Sequence, residues 1–288
     1  MLKHVAVADA YGAGFEFSSR QKIEEHNDLR YYLPHDLSGV AARYTDDTQM
    51  SIALAELIIS GTTWTPETVA NHFVDTFNRD PRHGYSKGFG ALLEACTSGS
   101  DLLKRIRPDS TRNGAAMRSP VIAYLGDEAT VRSHAELQAR VTHNSLVGVQ
   151  SSQSVAMAAF LGLSRGGSVE DIPEYLQSHD LDVWDYRWSD ESTVQAYDAC
   201  SAAFTCVLNC RRLSTLIREC VALGGDTDTV ASIAVGVATC FSDYEADIPA
   251  ALTNSLDEPT YGAAFLDGLN QQLDETFVDL RSGRPDYG

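Results

Sequence analysis

Apolar residues recur at three- and four-residue spacing in segment after segment of this chain, and two-residue alternation is scarce. That periodicity restricts the fold to packed helices. The stretch Thr48 to Ser60 puts Met50, Leu54, Leu57 and Ile58 on one stripe, and Gly61 supplies a C-terminal stop. Thr65-Pro66-Glu67 opens the next helix, with threonine as cap and proline in the first turn, and predicts a helix to about Asn78. Further helices are predicted over Gly88–Thr97, Ala115–Leu125, Glu128–Val141, Leu146–Leu163, Val169–His179, Val194–Asn209, Ser214–Leu223, Thr229–Phe241 and Tyr261–Leu280. The weakest stretches are Asp28–Ala42 and Asp180–Asp190. No linker, low-complexity tract or internal repeat divides the 288 residues, so the expected architecture is all-α, one multi-helix domain over residues 1–288.

Charge narrows the function classes. With 22 Lys+Arg against 40 Asp+Glu the chain carries −18 at pH 7, which repels phosphate backbones and anionic lipid and favours a soluble monomer. General nucleic-acid binding and membrane-surface binding are therefore not expected. The longest apolar run, Val230 to Phe241, falls far short of the ~20 residues of a spanning helix. The first residues hold one lysine, a short apolar patch and then Asp9, without the apolar core of a secretory signal. Six cysteines (Cys96, Cys200, Cys206, Cys210, Cys220, Cys240) form no CxxC pair, which reads as buried thiols in a reducing cytoplasm.

Two acidic clusters stand out, each at a predicted helix start. Thr45-Asp46-Asp47-Thr48 opens one helix; Gly224-Gly225-Asp226-Thr227-Asp228-Thr229 opens another. For either cluster alone, helix capping and complementing the helix dipole are the ordinary explanation. The second exceeds what one cap requires, since two aspartates alternate with two threonines after a Gly-Gly turn. Carboxylate and hydroxyl oxygens are the ligands of hard divalent cations, and no soft Cys/His cluster or HExxH competes with them. Spacing does not say whether the two clusters meet.

The pair is similar to the metal-binding motifs of the ADP-ribosylglycohydrolase family, and three further elements follow in the family's order. Asp9-Ala10-Tyr11-Gly12-Ala13-Gly14-Phe15-Glu16 resembles an N-terminal Gly-Asp-Ala-Leu-Gly segment that ends in an acid; Asn113-Gly114-Ala115-Ala116-Met117-Arg118 resembles an Asn-Gly-Ala-x-Met-Arg element; Thr142-His143-Asn144 sits where a Thr/Ser-His pair is usual. The resemblance runs from Asp9 to about Phe241. It implies an all-α fold and a dinuclear Mg2+ or Mn2+ centre held by Thr45, Asp46 and Asp47 on one side and Asp226, Asp228 and Thr229 on the other. It also implies hydrolysis of the N- or O-glycosidic bond between ADP-ribose and a protein or small-molecule acceptor. Asp47 or Asp228 would serve as the base for water. Glu16 resembles the family's mobile acid, which gates the site or assists the chemistry; read alone, it is a solvent-exposed acid after a helix.

The same resemblance implies substrate contacts. Asn113, Gly114, Ala115 and Met117 would hold the diphosphate, with backbone N–H groups open at the small residues. Gly84 and Ser86, in Gly84-Tyr85-Ser86-Lys87-Gly88, would lie near the same phosphates, and His143 would bond the phosphates or the proximal ribose. Arg118 either adds charge for the diphosphate or makes a structural ion pair. Two departures matter: Ala8 stands where a glycine is usual, and His83 stands where arginine-specific members carry an aspartate. The second weakens a guanidinium acceptor and leaves serine-linked, O-acetyl and other acceptors open. The competing classes are an ADP-ribose-binding or transferase-neutralising module with little catalysis, and a phosphate-ester hydrolase.

Overall fold

Two helices of this chain have no solvent face. The first, α1 (Leu2–Ala13), buries ten of its twelve residues, and the one after the Gly-Gly turn (Thr227–Ala238) buries all twelve. A helix apolar on every side belongs in the middle of a fold, and the rest of the chain wraps this pair. In order follow α2 (Arg20–His26), α3 (Asp46–Ser60), α4 (Pro66–Arg79), α5 (Lys87–Ala95), α6 (Gly99–Arg105), α7 (Gly114–Met117), α8 (Glu128–Thr142), α9 (Leu146–Arg165), α10 (Ile172–Gln177), α11 (Ala196–Asn209), α12 (Leu213–Leu223), α13 (Thr227–Ala238), α14 (Ala250–Thr253) and α15 (Ala263–Ser282). The computed structural model describes residues 1–36, 38–256 and 260–282. Among them no sheet forms, and one contiguous hydrophobic core runs through the helices.

The α1–α13 contact is close at Gly12. A Cβ there would lie 2.6 Å from the Cα of Asp228, so any other residue would push the helices apart. Thr227 Oγ1 closes the joint by donating to the Gly12 carbonyl at 2.8 Å. This packing carries Asp9, one turn earlier on α1, to the N-terminal end of α13. Helix α3 packs on α1 and α13 as well, so three helix segments meet at one point.

The long periodic helices fall where the pattern puts them, and the misses have local causes. The predicted helix Ala115–Leu125 is broken. It stops at Met117, and Pro120–Leu125 is a 3-10 turn, because Pro120 lacks the N–H an α-helix needs. Val169–His179 likewise divides into a 3-10 turn (Val169–Asp171) and α10 around Pro173. Helices α1, α2, α6 and α14 go unpredicted: α1 has no polar face to reveal a stripe, and the other three have at most seven residues. Asp28–Ala42 and Asp180–Asp190 hold no helix among their described residues; Leu37, in the first, and residues 283–288, within the expected 1–288 domain, lie outside them. All six cysteines are buried thiols, as predicted. Helix α9 is long and apolar enough to cross a bilayer, against the expectation that no apolar stretch is, and 72% of its apolar window is buried inside the fold.

Candidate active site

Capping does not account for the acidic clusters. Thr45 at the mouth of α3 and Asp226 at the mouth of α13 make no side-chain cap bond. The cap of α3 comes from another helix. Asp9 is fully buried; its carboxylate accepts from Thr45 N (3.0 Å), Thr48 N (3.0 Å), Thr45 Oγ1 (2.8 Å) and Thr48 Oγ1 (2.6 Å). With that duty met from α1, Asp46 and Asp47 are left over.

The two mouths face each other. Thr229 Oγ1 donates to Asp47 Oδ2 at 3.4 Å across 182 positions of sequence, and Thr45 Oγ1 approaches the same oxygen at 3.3 Å. Carboxylate oxygens of Asp9, Asp47 and Asp228 lie within 4.8 Å of one another, as do those of Glu16, Asp226 and Asp228. Asp47, Asp226 and Asp228 are all at most 4% exposed. Asp226 is steadied by Asn113 Nδ2 at 2.7 Å, and Asp228 by the Thr229 N–H at 2.9 Å. Asp47 Oδ1 is buried without a hydrogen-bond partner.

So many buried acids oppose one another's ionisation. Burial first, then the charges of Asp9, Asp46 and Asp226, pushes the Asp47 carboxyl well above the usual range; burial, then Glu16, Asp226 and Asp47, does the same to Asp228. Asp46 moves the same way, by burial and then by Asp9 and Asp226. Asp9 rises to about 6 through burial, against the pull of its four hydrogen bonds. Among the described residues no lysine or arginine pairs with Asp46, Asp47, Asp226 or Asp228. An all-oxygen donor set, an orphaned buried carboxylate oxygen and no internal counter-charge suit hard divalent cations.

These acids form one end of a cavity of about 440 Å³. The Glu16 carboxylate borders it, hydrogen-bonded to His35 Nε2 at 2.7 Å; burial raises its pKa, opposed by that bond. Gly84 also borders it, at φ +104°, where a Cβ would fall 2.0 Å from Asp46 Oδ1, so a side chain there would strike the acid. Ser86, Asn113, Gly114, Met117 and His143 complete the predicted set on this wall. Two predicted residues do other work. Ala115 is buried off the wall, its carbonyl taken by Gln138 and Ser119, and the Asn113 amide serves Asp226.

Another part of the cavity lining, the donor end, offers Arg107, Arg112, Arg118 and His143. Arg118 is 1% exposed; its Nε donates to Gln138 Oε1 (2.5 Å), its Nη2 to Thr142 Oγ1 (2.7 Å), and its guanidinium lies over Phe73 at 4.4 Å. It has no carboxylate partner among the described residues, which hold it by the neutral groups of Gln138 and Thr142 instead of an ion pair. Exposed Arg107 and Arg112 also line this end without an ion pair among the described residues. Their loop is stitched in place by Asn113 N to the Val194 carbonyl (3.1 Å) and by Ala196 N to the Thr111 carbonyl (3.0 Å). Asp9, His35, Arg107 and Arg112 were not predicted as site residues. Asp9 lay within a quoted motif, whereas His35 falls in a stretch without periodicity.

A family model for ADP-ribosylglycohydrolase matches residues 5–283. The chain belongs to the ADP-ribosylglycohydrolase family. ADP-ribosylhydrolase ARH3 of Xenopus tropicalis is 23% identical over 259 residues, 70% of this chain and 74% of that protein. The ADP-ribosylarginine hydrolase Tri1 of Pseudomonas putida is 25% identical over 255 residues, 81% of this chain and 67% of that protein. A solved structure described as an ADP-ribosylglycohydrolase-related protein complex superposes with a TM-score of 0.76 at 22% identity, over 96% of both chains, which shows the shared fold. The elements that carried the resemblance to the family, remote in sequence, converge on one cavity here.

Proposed function

We propose that this chain is a metal-dependent hydrolase that cleaves the glycosidic bond between ADP-ribose and an acceptor, using two Mg2+ or Mn2+ ions. The observation that carries the reading is the meeting of Asp46–Asp47 with Asp226–Asp228 around the unpartnered Asp47 Oδ1, in a cavity that Arg118 and His143 also line. Thr45, Asp46 and Asp47 would hold ions from one side, and Asp226, Asp228 and Thr229 from the other. When bound, divalent ions supply charge neutralisation and Lewis acidity.

The chain's own groups do the rest. Asp47 or Asp228 takes a proton from the attacking water, while the surrounding carboxylates favour the positive charge that builds on the ribose as the bond to the acceptor breaks. Ser86 and His143 are placed for the phosphates, along with the open backbone at Gly114. Glu16 gates the acceptor side, held by His35. Beyond it opens a cleft of about 60 Å³ bordered by His35, Arg43, His83 and Gly84, with Glu16 as the one acid among its described lining residues. That lining favours an oxygen-linked acceptor over a guanidinium.

A panel of arginine-, serine- and glutamate-linked ADP-ribose and O-acetyl-ADP-ribose, assayed with and without chelator, tests the reading. Release of ADP-ribose that stops with chelator and returns with Mg2+ or Mn2+ is expected. Turnover indifferent to chelator would remove the metal assignment, and tight ADP-ribose binding without turnover of any substrate would leave a binding module.

A further inference from the structure

We propose that Arg118 and Thr142 are positioning residues: through the Thr142 hydroxyl they fix the His143 imidazole with its proton on Nε2, making it a standing donor to an anionic oxygen in the cavity. The ligand half of this proposal rests on the ADP-ribose reading; the tautomer half does not.

Proton counting decides the direction. A guanidinium only donates, so Thr142 Oγ1, 2.7 Å from Arg118 Nη2, accepts there. His143 Nδ1 lies 2.6 Å from the same oxygen. If Nδ1 carried the proton, the hydroxyl would accept twice, and its own hydrogen would have no acceptor among the described residues, at a side chain only 4% exposed. If the hydroxyl donates to Nδ1, both the hydroxyl and Nδ1 are satisfied and the ring proton sits on Nε2.

Nothing upstream is free to turn. Arg118 Nε requires an acceptor, which sets the Gln138 amide with Oε1 toward it, and Gln138 Nε2 then donates to the Ala115 carbonyl (3.0 Å) and Ser152 Oγ (2.6 Å). The order therefore starts in α9 and α8 and passes through Arg118 to Thr142. Downstream, Nε2 has no partner among the described residues, although His143 is nine-tenths buried and lines the cavity. It points beside Gly114, where a Cβ would stand 3.1 Å from Nε2, so the glycine leaves the space a ligand oxygen needs. Burial, with Arg118 and Arg112 next, pushes the His143 pKa down to about 3, which keeps the ring neutral. A buried cation thus polarises a neutral donor through the Thr142 hydroxyl.

The test is the imidazole 15N spectrum of histidine-labelled protein, in wild type, Thr142→Val and Thr142→Ser, with calorimetric binding of ADP-ribose to each. Wild type and Thr142→Ser should show His143 protonated on Nε2. Thr142→Val should mix or invert the tautomers and weaken ADP-ribose about tenfold, the size of one donor to a charged oxygen, while Thr142→Ser stays within about threefold. A wild-type spectrum with the proton on Nδ1 would overturn the proposal without any variant, as would a Thr142→Val protein that keeps the Nε2–H signature or loses it with unchanged affinity. Wild type that shows the Nε2–H ring yet fails to bind ADP-ribose would sink the substrate reading and leave the tautomer assignment standing.

Discussion

Two parts of the cavity lining, an acid end and a donor end, are both charged beyond what their own surroundings neutralise, with opposite signs. At the acid end Asp46, Asp47, Asp226 and Asp228 crowd together with no basic partner among the described residues. At the donor end, among the described residues, Arg118 has only neutral partners, and Arg107 and Arg112 have no ion pair. A protein folding for stability alone would have paired the buried ones, the acids and Arg118, since an isolated buried ion costs several kcal/mol. Leaving both ends open is a disposition toward ligands: cations at one end, an extended anion at the other.

The ends also differ in construction. The acids sit on the first turns of α3 and α13, held by α1 through Asp9 and Gly12. The donors sit on a short helix, a helix end and a stitched loop. Changes at the acid end should therefore strike chemistry, and changes at the donor end should strike affinity.

The largest effect is expected from Asp46→Ala or Asp228→Asn, which should lower ADP-ribose release by ~10³-fold or more with the helical circular dichroism intact. Wild-type turnover in both would break the division. The same variants should melt at or above the wild-type temperature in chelator, because each removes a charge that its neighbours oppose.

Next is the pH dependence of metal-free stability. A carboxyl whose folded pKa exceeds its unfolded value near 3.8 stabilises the fold fully below that pH and loses its contribution as pH rises through the folded pKa. For Asp9 the loss runs from about 4 through about 6, and Asp46, Asp47 and Asp228 are displaced in the same direction. In chelator the melting temperature of the wild type should fall over that window by several degrees relative to that of an Asp47→Asn/Asp228→Asn variant, which keeps the opposing contribution of the buried neutral His143, on the order of 2–4 °C per kcal/mol for a chain this size, and Mn2+ should restore the wild type. A difference between the two proteins that does not change over the window, or that ignores Mn2+, would contradict the crowding.

Much of this contrast was legible in the sequence, and the remainder was hidden for physical reasons. The acid pairs could be read because Asp46–Asp47 and Asp226–Asp228 each exceed what one helix mouth needs. That they meet could not, because the joint depends on a close approach at Gly12, and α1, buried on nearly every side, shows no stripe. Asp9 looked like part of a motif and proved to be the cap that frees Asp46 and Asp47. His35, which holds Glu16, lies in irregular chain where no period marks it. The Arg118 alternatives were separable only once Gln138 and Thr142 were seen to satisfy it, residues 20 and 24 positions away.

At the donor end the effects should be smaller. Arg107→Ala and Arg112→Ala should each weaken ADP-ribose by about 3- to 10-fold and flatten the salt dependence of binding, with turnover at saturation nearly unchanged. Isothermal titration at two salt concentrations checks this; an unchanged salt slope would remove these arginines from the anion's path. The smallest expected effect is His83→Asp, which should raise turnover of arginine-linked relative to serine-linked substrate by about 2- to 5-fold by adding an acid beside Gly84. No change in that ratio would separate position 83 from acceptor choice.

The most direct test is anomalous diffraction from crystals soaked in Mn2+. Two helix mouths that share divalent ions should give manganese peaks between Asp46–Asp47 and Asp226–Asp228, with Asp47 Oδ1 among the ligands. Well-ordered carboxylates with no peak between them, at a manganese concentration that occupies other sites, would contradict the central claim.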